Sequence, residues 1–150
     1  MRPNIPALAD VLDLATLARL SVPPEWQDPN GHVNVQHYMG IYDTASWPML
    51  ALLGIDAAYF EQAQRGFFDL EHHIWYLAEM HVGDEVSAHM RLVSRSEKRF
   101  HCVFFLVNRS RAQPASMLEV VTAGADLVAR RTAAFPPEVA ARIDSLIAAH

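Results

Sequence analysis

One long helical repeat, followed by four long segments with strand periodicity, constrains the fold of this chain most strongly. From residue 34 to residue 53, apolar or small side chains recur at the spacing of a helix that is buried along one face. Residues 70–130 then alternate with period two, interrupted by Gly83-Asp84 and by two polar connections. A sheet needs one face covered, and this helix is the only sufficiently apolar element for that purpose. The pattern predicts an α+β fold, in which an antiparallel β-sheet wraps around a long central helix.

The domain organisation is predicted to be simple. A length of 150 residues suits one ordinary domain, and a hydrophobic content of 51% is ample for its core. An amphipathic pattern near the N-terminus predicts a helical extension over residues 1–21, before a main domain over residues 22–150. Pro23 and Pro24 break the first pattern, and Val22 to Trp26 are expected to form a short edge strand.

Charge and hydropathy exclude several classes of partner. A net charge of −5 and a pI near 5.8 argue against nucleic acid, because phosphate-binding proteins usually carry a basic patch. No apolar run approaches the roughly 18 residues that cross a bilayer, and the N-terminus lacks the pattern of a signal peptide. We therefore expect a cytoplasmic protein that does not bind membranes. Its single cysteine, Cys102, lies in an apolar segment and is predicted to be a buried structural thiol.

The most informative motif for function is the segment Asp28-Pro29-Asn30-Gly31-His32-Val33-Asn34, called here the Asp28–Asn34 turn. It places a carboxylate, a carboxamide and an imidazole directly before the long helix. A helix N-terminus offers unpaired N–H groups, which would polarise a carbonyl oxygen beside Asp28 or His32. The alternative is an ordinary turn in which Asn30 or Asn34 only caps the helix. Capping explains neither Asp28 nor His32, so the mixture favours acyl chemistry.

These motifs resemble the hotdog-fold acyl thioesterases over roughly residues 22–131. The Asp28–Asn34 turn with Tyr38 resembles the signature of the 4-hydroxybenzoyl-CoA and acyl-ACP thioesterase branches, and residues 76–80 with Gly83-Asp84 resemble their strand and turn. Residues 22–34, 71–74 and 135–139 are more narrowly similar to the betainyl-CoA thioesterase domains that are appended to some carnitine dehydrogenases.

The resemblance implies a thioesterase that hydrolyses an acyl-CoA, with betainyl-CoA or another short polar acyl group as the candidate substrate. The family's essential aspartate falls on Asp28, the Asn and His of the plant acyl-ACP branch on Asn30 and His32, and its downstream glutamate on Glu79. Met80 stands where that branch often has a cysteine, so a cysteine mechanism is not expected. The resemblance also implies a homodimer with shared active sites, and a dimer of dimers is the larger alternative.

The predicted mechanism uses the start of the long helix. Backbone N–H groups from Gly31 to Asn34 would hold the thioester oxygen, while Asp28 either attacks the carbonyl or activates water. Asn30 would orient the water or the carboxylate. For His32, a hydrogen bond to the thioester or to Asp28 and a purely structural role are equally open.

A wider set of residues is predicted to bind the substrate, whose coenzyme A portion is the only cofactor-like group expected. Glu71 and His73 lie on one face of a strand, and the alternative is that this face is only solvated, which is commoner for charged residues. The alternative for the aromatic residues is a place in the hydrophobic core. The candidates are Gly31, Val33, Asn34, Tyr38, Tyr42, Trp47, Glu71, His73 and Trp75. No metal is expected, because His72 and His73 point to opposite faces of a strand.

Two rival functions remain open at this stage. A hotdog enoyl-thioester hydratase would also use a histidine and an acid, but it would hydrate crotonyl-CoA without releasing thiol. A noncatalytic acyl-thioester-binding protein would keep the pocket without needing Asp28, because fold alone does not determine function.

Overall fold

The computed structural model describes residues 3–150. Met1 and Arg2, the first residues of the predicted helical extension, lie outside this range. The helices are α1 (Leu8–Asp13), α2 (Gln36–Leu52), α3 (Ala57–Glu61) and α4 (Pro137–Ala149), with one 3-10 turn at Pro24–Trp26. The strands are β1 (Thr16–Ser21), β2 (Arg65–Tyr76), β3 (Glu85–Arg95), β4 (Arg99–Asn108), β5 (Gln113–Asp126) and β6 (Arg131–Thr132).

The strands form one sheet in the order β1-β3-β4-β5-β2, and β6 pairs with β5. β1 runs antiparallel to β3, with Leu20 opposite Val86. The predicted central helix is α2, and the four long strands after it are β2 to β5. The prediction of an α+β fold with an antiparallel sheet and one long helix is therefore confirmed.

The N-terminal segment differs from its prediction. The helix covers only Leu8–Asp13, and residues 16–21 form β1, whose Leu17 is buried. The prediction of a helix is wrong from Thr16 onwards. Thr16 and Ala18, on either side of Leu17, pair with β3, so this segment is a strand and not a helical turn. The predicted edge strand at Val22 to Trp26 is also wrong, since Pro24–Trp26 is a 3-10 turn and β1 holds the edge.

The described residues fall into two compact units, and both include parts of β2 to β5. The first unit contains the chain up to Pro48, Ile74–Met90 and Phe104–Leu118. Within it α2 packs on the sheet: the Tyr42 ring lies edge-on at 5.9 Å from Phe104, and its hydroxyl donates to Ser116 Oγ at 2.7 Å. The buried helix residues Tyr38, Tyr42 and Ala45 follow the predicted spacing, whereas Val35 and Met39, which share that spacing, are exposed.

The second unit contains Met49–His73, Arg91–Val103 and Glu119–His150. Its core includes an aromatic cluster in which the Phe100 ring lies 6.2 Å from Phe67 and 5.9 Å from Phe135. Cys102 is fully buried, and this burial raises the pKa of its thiol well above the ordinary range. The predicted structural role of Cys102 agrees with this burial.

None of the helices within residues 3–150 is both long enough and apolar enough to cross a membrane.

Candidate active site

The Asp28–Asn34 turn folds because its own polar groups satisfy one another. The Gly31 N–H donates to the Asp28 carbonyl at 3.0 Å, and the Asp28 N–H donates to the His32 carbonyl at 2.9 Å. The Asn30 N–H donates to Asp28 Oδ1 at 2.8 Å, and the Asn30 side chain lies 3.3 Å from Oδ2. Gly31 has a φ of 85°, which favours glycine. These bonds hold the Asp28 carboxylate in one orientation.

The turn is clamped to the segment that follows β2. The Val33 N–H donates to the Met80 carbonyl at 2.8 Å, and the Asn34 N–H donates to the Trp26 carbonyl at 2.8 Å. Leu77 and Ala78, just before Met80, both donate their N–H groups to the Ala115 carbonyl of β5. The clamp therefore fixes Asp28 beside the residues that follow β2, within the first unit.

These hydrogen bonds correct the predicted oxyanion donors. The N–H groups of Gly31, Val33 and Asn34 are already donated to carbonyls of the fold, so they are not free for a substrate oxygen. Within residues 3–150, no acceptor is hydrogen-bonded to the N–H of His32 or to that of Val35. Val35 directly precedes the first residue of α2, where a helix leaves its N–H groups unpaired. The His32 N–H of the predicted set therefore remains a candidate donor, and the Val35 N–H, one position beyond that set, is a second candidate.

A cavity of about 420 Å³ opens beside the turn. Three of the four predicted catalytic residues line it, namely Asp28, His32 and Glu79, and so do two predicted substrate-binding residues, Val33 and Tyr38. The remaining lining residues are Val35, Tyr76, Leu77 and Ala78. Asp28 is half-buried and Val33 is buried, so the cavity reaches from the surface to the start of α2. The arrangement brings Asp28 and Val35, the residue directly before α2, to the lining of one cavity.

The imidazole of His32 has a defined tautomer in this arrangement. Its Nδ1 lies 3.1 Å from the Val33 carbonyl, and because a carbonyl only accepts, Nδ1 carries the proton. Nε2 is then left as an acceptor or as a second donor if the ring is protonated. The structure places His32 at the cavity and leaves its chemical role open.

Two tyrosines form an aromatic wall of the cavity. The rings of Tyr38 and Tyr76 meet edge to face with centroids 5.0 Å apart. Tyr38 is buried, and this burial raises the pKa of its phenol, so the hydroxyl stays protonated at neutral pH. Tyr76 is 49% exposed and offers ring surface to whatever enters.

Several predicted site residues lie elsewhere. Asn30 is exposed and contacts both Asp28 oxygens without lining the cavity, and Asn34 caps α2 by accepting the Gln36 N–H at 3.1 Å. Tyr42 is buried against Ser116 in the core and does not line the cavity, and its substrate contact remains a prediction. Trp47 is 60% exposed on α2 and does not line the cavity.

The predicted strand residues are also outside the cavity. Trp75 precedes Tyr76 in β2, and adjacent strand residues point to opposite faces, which explains why Tyr76 lines the cavity and Trp75 does not. Glu71 and His73 are exposed residues of β2 in the second unit. Their predicted role in substrate binding remains a prediction.

Four cavity residues had not been predicted as site residues: Val35, Tyr76, Leu77 and Ala78. Tyr76 to Ala78 lie in the segment that resembles the family's strand and turn, so that motif held the signal. The side chain of Val35 carries no such signal, because the feature that distinguishes this residue is a backbone N–H without an acceptor within residues 3–150. No group of three or more potential metal ligands occurs in the described part of the chain.

Comparison with known proteins identifies the family. The model of the thioesterase-like superfamily matches residues 22–143. The chain is 30% identical over 127 residues to the betainyl-CoA thioesterase of Pseudomonas aeruginosa, covering 85% of this chain and 80% of that protein. It is 27% identical over 125 residues to the L-carnitine dehydrogenase/betainyl-CoA thioesterase of Rhizobium meliloti, covering 83% of this chain but only 25% of that longer protein.

A solved structure supports the fold. A Staphylococcus aureus protein solved in complex with CoA superposes with a TM-score of 0.82 at 24% identity, covering 90% of this chain and 85% of that one. The predicted hotdog fold is thus confirmed. The chain belongs to the thioesterase-like superfamily and is a hotdog-fold thioesterase.

Proposed function

We propose that this protein hydrolyses an acyl-CoA thioester in the cavity beside the Asp28–Asn34 turn. The observation that carries the proposal is that one cavity is lined both by a carboxylate held in place, Asp28, and by Val35, whose N–H has no acceptor within residues 3–150. A thioester needs a nucleophile at its carbon and charge stabilisation at its oxygen. The two groups meet both needs.

In this mechanism the thioester oxygen binds at the Val35 N–H, at the positive end of the α2 dipole. Asp28 either attacks the thioester carbon, which expels the CoA thiolate and leaves a mixed anhydride that water then hydrolyses, or removes a proton from a water that attacks the carbon. In the second case the C–S bond breaks in the same way, and the thiolate leaves and takes up a proton. Asn30 keeps the carboxylate oriented through its two contacts with Asp28. Glu79, which lines the same cavity, positions or deprotonates water.

The cavity suits an acyl group that carries a positive charge. Its lining contains two carboxylates, Asp28 and Glu79, and two tyrosine rings, Tyr38 and Tyr76, whereas no Lys or Arg is among the lining residues. Aromatic faces bind quaternary ammonium groups by cation–π attraction. Together with the betainyl-CoA thioesterase of Pseudomonas aeruginosa as a relative, this favours a betainyl substrate.

A matched pair of substrates tests the charge preference. Betainyl-CoA and 3,3-dimethylbutyryl-CoA have the same shape, because a carbon replaces the quaternary nitrogen in the second. We expect kcat/KM to be about tenfold higher for betainyl-CoA, since a cation–π contact is worth roughly 0.5–2 kcal/mol and 1.4 kcal/mol is tenfold. Thiol release measured for both esters gives the ratio. Equal kcat/KM values would refute a cationic substrate while leaving thioester hydrolysis intact.

Two aromatic variants locate the effect. Tyr76→Leu should remove most of the preference for betainyl-CoA, because Tyr76 lines the cavity and is partly exposed. Trp47→Leu is the matched control, since Trp47 is also exposed but does not line the cavity. If Trp47→Leu loses the preference and Tyr76→Leu keeps it, the acyl group binds near Trp47 and not in this cavity.

A second cavity, in the second unit, is lined by several cationic side chains. A cavity of about 400 Å³ there is lined by Arg65, Lys98 and Arg131, with Asp126. Asp126 is held in a turn by the N–H groups of Val128 and Ala129. Three cations against one carboxylate form a positive surface on a protein of net charge −5, which suits phosphate groups.

We further propose a homodimer formed through the free edge of β2. This strand ends the path of the sheet, and residues 69–73 are exposed on both of its faces, with Leu70 44% exposed. An unpaired edge that carries apolar side chains is a template for another strand. Pairing of two β2 edges would also bring Glu71 and His73 of each subunit into the interface.

The dimer is tested by placing like charges on both edges. Leu70→Lys should shift the mass measured by light scattering from dimer to monomer, because a lysine on an edge strand disfavours pairing with another strand. Val128→Lys is the control, since Val128 is 75% exposed in a turn outside β2. A monomeric wild-type protein, or a dimeric Leu70→Lys variant, would contradict the proposed interface. The cytoplasmic location and the independence from metals and other cofactors remain predictions.

A further inference from the structure

Glu79, His81 and Asp84 form a network of titratable side chains. His81 Nε2 lies 3.3 Å from Glu79 Oε2, and its Nδ1 lies 3.8 Å from Asp84 Oδ2. One imidazole thus stands between two carboxylates, one of which lines the active-site cavity. Neither His81 nor Asp84 lines that cavity.

Asp84 is a fixed anchor for this network. The residue is 7% exposed, and its carboxylate accepts hydrogen bonds from Asn108 Nδ2 at 2.7 Å, from Arg111 Nε at 3.1 Å and from the His81 backbone N–H at 2.9 Å. Burial acts to raise the pKa of Asp84, but these hydrogen bonds and the Arg111 charge hold it below its ordinary value. Asp84 is therefore a carboxylate that neither moves nor takes up a proton at neutral pH.

Glu79 has no comparable anchor of its own. Its side chain is 64% exposed, and the contact with His81 is the one ion pair that it makes within residues 3–150. A long, exposed carboxylate samples many rotamers unless a partner holds it, and this freedom costs rate when the group must meet a reacting atom. His81 is the residue placed to restrict it.

The His81 ring is left incomplete in the present geometry. Nδ1 is buried and has no hydrogen-bond partner within the described residues, because 3.8 Å to Asp84 is too long for a hydrogen bond. A neutral ring can donate from only one nitrogen, whereas a protonated ring donates from both. A shift of less than 1 Å toward Asp84 would satisfy Nδ1, and such contacts commonly tighten when substrate binds.

We propose that His81 is a positioning residue, which holds the Glu79 carboxylate at the cavity by donating from Nε2 while Nδ1 faces the anchored Asp84. The inference rests on the proposed function, in which Glu79 takes part in thioester hydrolysis. The charged groups that face this ring are Glu79 and Asp84, and Arg111 faces Asp84 from the turn after β4. The ring joins the anchored carboxylate to the mobile one.

Two amide variants separate this role from a structural one. In His81→Gln the amide nitrogen lies near the position of Nε2, so it still donates to Glu79. In His81→Asn it lies near the position of Nδ1, so it donates to Asp84 but does not reach Glu79. We expect His81→Asn to lower kcat about tenfold with little change in KM, because Glu79 loses its orientation, and His81→Gln to retain most of the wild-type kcat. Thermal midpoints show that both variants are folded.

The Glu79→Gln background completes the test. Because His81 acts through Glu79, His81→Asn should cause no further loss of kcat when it is added to Glu79→Gln. A merely structural histidine would give the opposite order, with His81→Asn active, His81→Gln impaired and additive losses in the double variant. That order, or a Glu79→Gln variant as active as wild type, would overturn the inference. Absence of thiol release in the wild-type protein would instead refute the proposed function.

Discussion

Replacing Val35 with proline is expected to lower kcat for thiol release by about a hundredfold while KM changes little, because it removes one oxyanion donor. Proline has no N–H, so the substitution deletes the single group that we place against the thioester oxygen. The charge on that oxygen grows as the carbon is attacked, and the loss therefore falls on the transition state more than on the bound ester.

The position tolerates this change. Val35 directly precedes α2, and proline is accommodated in the first turn of a helix because the N–H groups there have no intrahelical partner. The residue before it, Asn34, caps the helix through its Oδ1 contact with the Gln36 N–H, and both a cap and a residue before proline favour extended backbone. We therefore expect the thermal midpoint of Val35→Pro to stay close to that of wild type.

Val35→Ala is the matched control, because it shortens the side chain at the cavity and keeps the N–H. It should retain most of the wild-type kcat. If Val35→Pro and Val35→Ala lose activity equally, the side chain and not the amide matters, and the oxyanion site lies elsewhere. A fully active Val35→Pro variant would have the same consequence, and the His32 N–H would then be the remaining candidate at this turn.

The parts of the site that depend on side-chain pattern could be predicted from the sequence. Helical spacing identified the buried face of α2 through Tyr38 and Ala45, and the Asp28–Asn34 turn brought Asp28 and His32 together, whereas Glu79 was predicted only from the family resemblance. Both signals are local, because spacing determines which residues share a helix face and the turn chemistry determines where Asp28 points. Their agreement with the structure needed no knowledge of distant contacts.

The parts that depend on distant hydrogen bonds could not be predicted. The N–H of Val33 is donated to Met80, 47 positions along the chain, and only the folded structure shows that this amide is occupied. Leu17 likewise fits an amphipathic helix as well as a strand, and pairing with β3 decides between the two. Residue type does not distinguish Tyr42 from Tyr76, yet Tyr42 is hydrogen-bonded to Ser116 in the core and Tyr76 lines the cavity.

The largest loss is expected for Asp28→Asn, which should lower kcat for thiol release by a hundredfold or more, on the order of what a catalytic carboxylate contributes. An amide neither attacks a thioester nor accepts a proton from water, whichever of the two roles Asp28 has. The turn should survive, because the asparagine oxygen still accepts the Asn30 N–H that Asp28 Oδ1 accepts at 2.8 Å. The substitution therefore removes the carboxylate and keeps the backbone hydrogen bond of the turn.

Asp56→Asn provides a control of equal charge change. Asp56 caps α3 in the second unit and accepts the Tyr59 N–H at 3.2 Å, as Asp28 accepts that of Asn30. It is not among the residues that line the active-site cavity. Its variant should hydrolyse acyl-CoA at the wild-type rate, so that any loss in Asp28→Asn cannot be assigned to net charge.

Thiol release from betainyl-CoA by the wild-type, Asp28→Asn and Asp56→Asn proteins, measured side by side with their thermal midpoints, tests the central role of Asp28 most directly. We expect rapid release by wild type and Asp56→Asn, and a loss of a hundredfold or more in a normally folded Asp28→Asn variant. Unchanged release by Asp28→Asn would contradict the account.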